Sequence, residues 1–198
     1  MSRVRFTKLI IATLLGSLTM FIWEGFSHVV LFTGIGFTPF PNVAELREVV
    51  KTNVTGNGLF SFSDVDPDSP PIQKEAVFKD SSRTSPVGVL GYRPAEGNPF
   101  SAQKLITQFL GNILSVLIAV QIASLIRAGY WKRVLAVTHV GLLAAAVVSS
   151  IYWSWYEFPM GFFIAQILDM VIGFFLAGLV ICRVLAEVDT RKAFRKDL

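Results

Sequence analysis

Glu24 and His28 are the residues of this 198-residue chain whose types and spacing best suit acid–base chemistry. They stand four apart in FIWEGFSHVVL, and in a helix that spacing stacks both on one face. A carboxylate and an imidazole inside an apolar run are expensive unless they find partners. They mark either a proton relay, or polar pocket, or a hydrogen-bond network that fixes helix register. Four more polar side chains lie inside apolar runs at a matching depth. A helix rises about 1.5 Å per residue, which puts Glu24 about 22 Å along the first run and His28 one turn further. The same arithmetic puts Gln108 and Asn112 roughly 5–11 Å, and Gln166 and Asp169 roughly 9–14 Å, from the starts of the second and fourth runs. If the runs cross a bilayer in alternating directions, all six share its outer half. The structural network is the preferred reading. Glu24 and Asp169, if they approach, would titrate as a unit.

Other chemistries are weaker. The two histidines, His28 and His139, fall at opposite depths, which argues against a haem held by both. One imidazole with two carboxylates (Glu24, His28, Asp169) is a poor metal signature. In DVDPDSPPIQKE, Asp64, Asp66, Asp68 and Glu75 match positions one, three, five and twelve of a calcium loop. Ser69 stands where that loop needs glycine, and Pro67, Pro70 and Pro71 stiffen the turn, so a solvated acidic turn is the better reading. No nucleophile–base pair, phosphate-cradling glycine loop or CxxC is present. The sequence implies no catalytic residue and no cofactor.

The elements that must position these groups follow from composition. Hydrophobic residues make up 53% of the chain and charged residues only 16%, against about a quarter charged in soluble domains. Four apolar runs, about 9–31, 105–126, 134–155 and 160–182, are each near the roughly 20 residues that cross a hydrocarbon core. RAGYWKR and YEFPMG break them. Arg3, Arg5 and Lys8 before LIIATLLGSLTMF mimic a signal peptide, but the core runs on through Trp23 and Glu24, so an uncleaved first span is expected. The net charge of +4 raises the question of a nucleic-acid partner; the basic residues instead flank the apolar runs. Eleven of the eighteen Lys and Arg residues fall on the side of the termini and of residues 127–133, which predicts both termini in the cytoplasm.

The expected organisation is a first transmembrane helix over 1–34, an extracytoplasmic loop or cap over 35–104, three further transmembrane helices over 105–182 and a basic cytoplasmic tail over 183–198. In the loop, Asn42 and Glu45 form a capping-box variant, and Val43, Leu46, Val49 and Val50 predict a short amphipathic helix ending before Gly56. GLFSFSDV and VGVLGYRP alternate as short strands, joined by a proline-rich connector. Gly141 with Ala144 and Ala145, and Gly173 with Ala177, offer close helix contacts. Cys182 reads as a small apolar packing residue.

The chain resembles a family of bacterial four-span integral membrane proteins with a long first extracytoplasmic loop and no characterised activity. The resemblance rests on Trp23, Ser27 and His28, then on PNVAELREVVKTNVTGNGLFSF, SPVGVLGYRP, the NPFS stretch before the second span, and WYEFP with Asp169 beyond it. It implies a bacterial cytoplasmic-membrane location and this topology, and it supplies no activity. In that family Glu24 is not a fixed feature, which counts against an obligatory catalytic role. The expected function is a non-enzymatic accessory or structural subunit, with the lipid bilayer and other membrane subunits or further copies of itself as partners. The alternative is a small transporter or proton-coupled membrane enzyme using the outer-half polar pocket.

Overall fold

The computed structural model describes residues 3–62, 64–66, 68–94 and 101–194, with side chains described over 6–80, 83–94 and 101–186 of these ranges. Arg195 and Lys196 of the basic tail, Pro67 of the acidic turn and residues 98–100 of the NPFS stretch lie outside the described residues. So do the side chains of Arg3, Arg5, Arg191 and Lys192. In chain order the elements are α1 (Arg3–Phe26), a π-helical turn (Ser27–Leu31), α2 (Val43–Asn53), β1 (Gly58–Phe62), α3 (Pro71–Thr84), β2 (Gly88–Tyr92), α4 (Ala102–Leu125), α5 (Tyr130–Trp155) and α6 (Met160–Phe194). They divide into two compact units, residues 38–99 and the remainder.

The larger unit is a four-helix bundle. Phe6–Leu31, Ala102–Leu125, Tyr130–Trp155 and Met160–Ala186 are each long and apolar enough to cross a membrane. The protein is therefore an all-α multi-pass membrane protein by class, with every spanning backbone amide bonded within its own helix. α6 packs along both α5 and α1, α1 packs along α4, and α4 closes against α5. Val116, Val120, Val137, Phe174 and Ile181 fill the centre. Leucines such as Leu114 and Leu143 cover the outside, as expected where lipid is the solvent.

Small residues set the helix spacings. A Cβ on Gly16 would lie 2.8 Å from Val116 and 2.9 Å from Ile181, so α1 touches α4 and α6 through the same glycine. A Cβ on Gly141 would meet Phe174 Cβ at 2.7 Å and the Met170 carbonyl at 2.8 Å. Gly141 and Gly173 thus serve contacts inside the bundle. The connections are tied by hydrogen bonds. Arg133 Nε donates to the Ile126 carbonyl at the end of α4, and Tyr130 Oη to the Leu179 carbonyl. Ser101 occupies the N-cap of α4 through its backbone carbonyl, which accepts from Lys104 and Leu105; its side chain makes no capping bond.

The smaller unit holds α2, α3 and a two-stranded antiparallel sheet in which Phe60 pairs with Leu90 and Leu59 with Gly91. Asn42 caps α2, its side-chain oxygen accepting from the Glu45 amide while its Nδ2 donates to Glu45 Oε2. Among the residues of this unit with described side chains, none is buried.

Three features depart from the sequence reading. The proline-rich connector contains α3. Pro71 takes the first helical position, where a missing N–H costs nothing, and Glu75 pairs with Lys79 one turn on at 2.6 Å. The last helix does not stop at Cys182 but continues to Phe194. The first span does not end as an α-helix, because the ladder widens over Ser27–Leu31 and the Phe32 amide donates to the Ser27 carbonyl at 2.8 Å.

Candidate functional site

Glu24 sits two turns before the end of the first span, on the face that α1 turns to α4. Asn112 and Gln108 are one turn apart on α4, so both carboxamides reach the same level. Asn112 Nδ2 donates to Glu24 Oε2 at 2.6 Å, and Gln108 Nε2 donates to the same oxygen at 3.0 Å. Gln108 Nε2 also reaches Asn112 Oδ1 at 3.3 Å. Two neutral donors on one carboxylate oxygen form a charge-assisted bridge between helices. Asn112 is buried; Gln108 is exposed on the bundle's side.

Asp169 approaches from α6. It is 4% exposed. Its Oδ1 has no hydrogen-bond partner among the described residues, and its Oδ2 lies 3.9 Å from His28 Nδ1. His28 Nδ1 also faces the Glu24 carbonyl at 2.9 Å. A carbonyl and a carboxylate are both acceptors, so this nitrogen carries a hydrogen and donates. Nε2 is then the free position of the ring, on a side chain 56% exposed. The π-helical turn begins at Ser27, which is fully buried and whose hydroxyl also donates to the Glu24 carbonyl. Such widened turns recur where a helix must aim a functional side chain.

The Asp169 backbone is held as well. Trp23 Nε1 donates to the Asp169 carbonyl at 3.0 Å. The indole fits because Gly173 has no side chain: a Cβ there would lie 3.0 Å from Trp23 Cδ1. One turn deeper on the α4 side, Ser17 Oγ donates to the Thr13 carbonyl at 2.7 Å and lies 3.4 Å from the Asn112 carbonyl.

The structure thus brings five of the six sequence-selected residues to one level, in two linked groups: Glu24 with Gln108 and Asn112, and His28 with Asp169. Glu24 lies within electrostatic reach of Asp169 and His28. Gln166 stands apart, half-buried, with no hydrogen bond to the others. Trp23, Ser17 and Ser27 complete the network without having been selected. Their signal was present: Thr13, Ser17, Met20, Glu24 and Ser27 recur at alternating intervals of four and three, one stripe of a helix.

The remaining candidates do not assemble. His139 Nδ1 faces the Leu135 carbonyl at 2.7 Å, in its own helix. Asp66 Oδ1 accepts from the Asp68 amide, an Asx turn, while Glu75 lies inside α3 facing Lys79. Among the described residues no group of three or more His, Cys, Asp or Glu side chains is placed to hold a metal ion. A groove of about 640 Å³ between α1 and α4 is apolar, lined by residues such as Leu9, Leu14, Ile113 and Leu117. It lies more than two turns from Glu24 along α1.

No family model, curated protein or solved structure matches the chain.

Proposed function

We propose that the protein is a non-enzymatic accessory subunit of the bacterial cytoplasmic membrane, with both termini cytoplasmic, that packs against a larger membrane complex or against copies of itself. One observation carries this reading: the unit of residues 38–99 has no buried side chain among those described. A folded segment normally offsets its ordering entropy by burying apolar surface. This one leaves Ile72 85% and Leu59 72% exposed, with Phe40, Phe62 and Phe78 also exposed. Contiguous apolar exposure of this kind favours a protein surface as cover. The polar cluster fits the same role. Glu24 with Gln108 and Asn112 ties α1 to α4, and the exposed Gln108 and His28 offer polar atoms to a neighbouring helix.

The test is recovery after mild solubilisation. An accessory subunit elutes with stoichiometric partners or as a defined homo-oligomer, and Ile72→Lys with Leu59→Lys releases it while leaving the bundle folded. Elution of the wild type as a lone monomer ends this reading.

A second reading is supported by the unpartnered, buried Asp169 Oδ1. A carboxylate left without a donor inside a span is costly, and such groups mark ion or proton pathways. A small transporter or proton-coupled membrane enzyme would use Glu24, His28 and Asp169. Glu24→Gln with Asp169→Asn then abolishes flux in proteoliposomes, whereas an accessory subunit keeps its partner.

A further inference from the structure

A second site lies wholly within the smaller unit. Between α2 and the end of β2 runs a groove of about 700 Å³. Its floor is apolar: Leu46 and Val50, one turn apart on α2, and Leu90, on the half-buried face of β2. Its rim is basic, carrying Arg47, Lys51 and Arg93. No acidic side chain lines it. Lys51 is paired with Glu48 at 2.9 Å. Arg47 and Arg93 make no ion pair or hydrogen bond among the described residues, although the unit holds acids elsewhere. Two guanidiniums on different elements therefore converge on an apolar trough with no counter-charge.

We propose that this groove binds an anionic phospholipid, its phosphate held by Arg47 and Arg93 and its first methylenes on Leu46, Val50 and Leu90. Guanidinium forks match phosphate oxygens in geometry and charge. The apolar floor distinguishes the site from one for a free anion, which needs donors and no trough. The N-terminus of α2 offers no competing anion site, because Asn42 and Glu45 already satisfy it. A bilayer lipid is the occupant the chain meets most readily, since the unit joins membrane-crossing helices at both ends and the local lipid concentration is high. The lipid needs neither a protein partner nor any assigned orientation.

Native mass spectrometry of the full-length protein in mild detergent tests this, with phosphatidylglycerol and phosphatidylcholine of matched acyl chains as probes. Wild type binds phosphatidylglycerol preferentially. Arg47→Gln with Arg93→Gln weakens that binding by about 10-fold, as expected for the loss of charge-assisted contacts, and Arg47→Glu with Arg93→Glu weakens it further. Both arginines are exposed, so these changes leave the fold intact, and Arg83→Gln on α3, outside the groove, changes nothing. Equal binding of the two lipids overturns the proposal, as does unaltered phosphatidylglycerol binding in the variants. Full displacement by inorganic phosphate would identify a free anion as the ligand and overturn it equally.

Discussion

Glu24 and Asp169 are both carboxylates inside the bundle, yet their surroundings give them opposite roles. Glu24 Oε2 accepts from two carboxamides, and its removal exposes donors that lose their acceptor. Buried interhelical hydrogen bonds in membrane proteins are worth about 0.5–2 kcal/mol. A double-mutant cycle of Glu24→Gln and Asn112→Ala should return a coupling energy in that range, read from unfolding in detergent, whereas Gln166→Ala should show none with Glu24. Asp169 has the reverse balance. With Oδ1 unpartnered, Asp169→Asn keeps the shape and removes the charge, and it is expected to raise stability by about 1 kcal/mol. A stability gain joined to a loss of flux or of partner binding marks a residue kept for function. Glu24 was legible from the sequence because a charge in an apolar run stands out. Ser17 and Ser27 were not, because serine is common in membrane helices and only the stripe they share with Thr13 and Met20 tells them from lipid-facing neighbours.

For the helices, apolar run length was sufficient to locate all four spans, since a hydrocarbon core admits few alternatives. Their ends were less legible. α3 was hidden by Pro70 and Pro71, which read as breakers until the second is placed at the helix start. The π-helical turn was invisible because no residue type specifies it: an extra residue in one turn is a decision of packing, taken where Ser27 is buried and His28 must meet Asp169. Packing also sorts the glycines. Gly141→Ala should cost about 1–3 kcal/mol, since the new methyl overlaps Phe174 Cβ and the Met170 carbonyl and neither can move freely. Gly111→Ala in α4 meets nothing within 4 Å and should leave thermal stability unchanged or slightly higher. Gly173→Ala is the informative intermediate. It should displace the Trp23 indole from the Asp169 carbonyl, which tryptophan fluorescence in a variant keeping only Trp23 would register.

For the molecule as a whole, the bundle and the smaller unit are stabilised by different means. The bundle has a packed centre around Val116, Phe174 and Ile181; the smaller unit has a capped helix, a hairpin of paired strands and local ion pairs, without buried side chains. Heating in detergent should therefore give loss of protection in residues 38–94 well before the bundle unfolds, measurable by hydrogen exchange, and a bound partner should raise the lower transition selectively. Orientation is open to a direct check. With Cys182→Ala, a cysteine placed at Ser61 should react with a membrane-impermeant maleimide from the periplasmic side, and one placed at Ala128 should not. The widened turn at Ser27–Leu31 carries a last consequence. Deleting one residue within it would let the ladder close normally, shortening the span by about 1.5 Å and swinging all that follows by about 100° about the axis. Gly36, whose backbone abuts Phe162, would be pulled out of place, so the first loop inherits its starting direction from a single surplus amino acid.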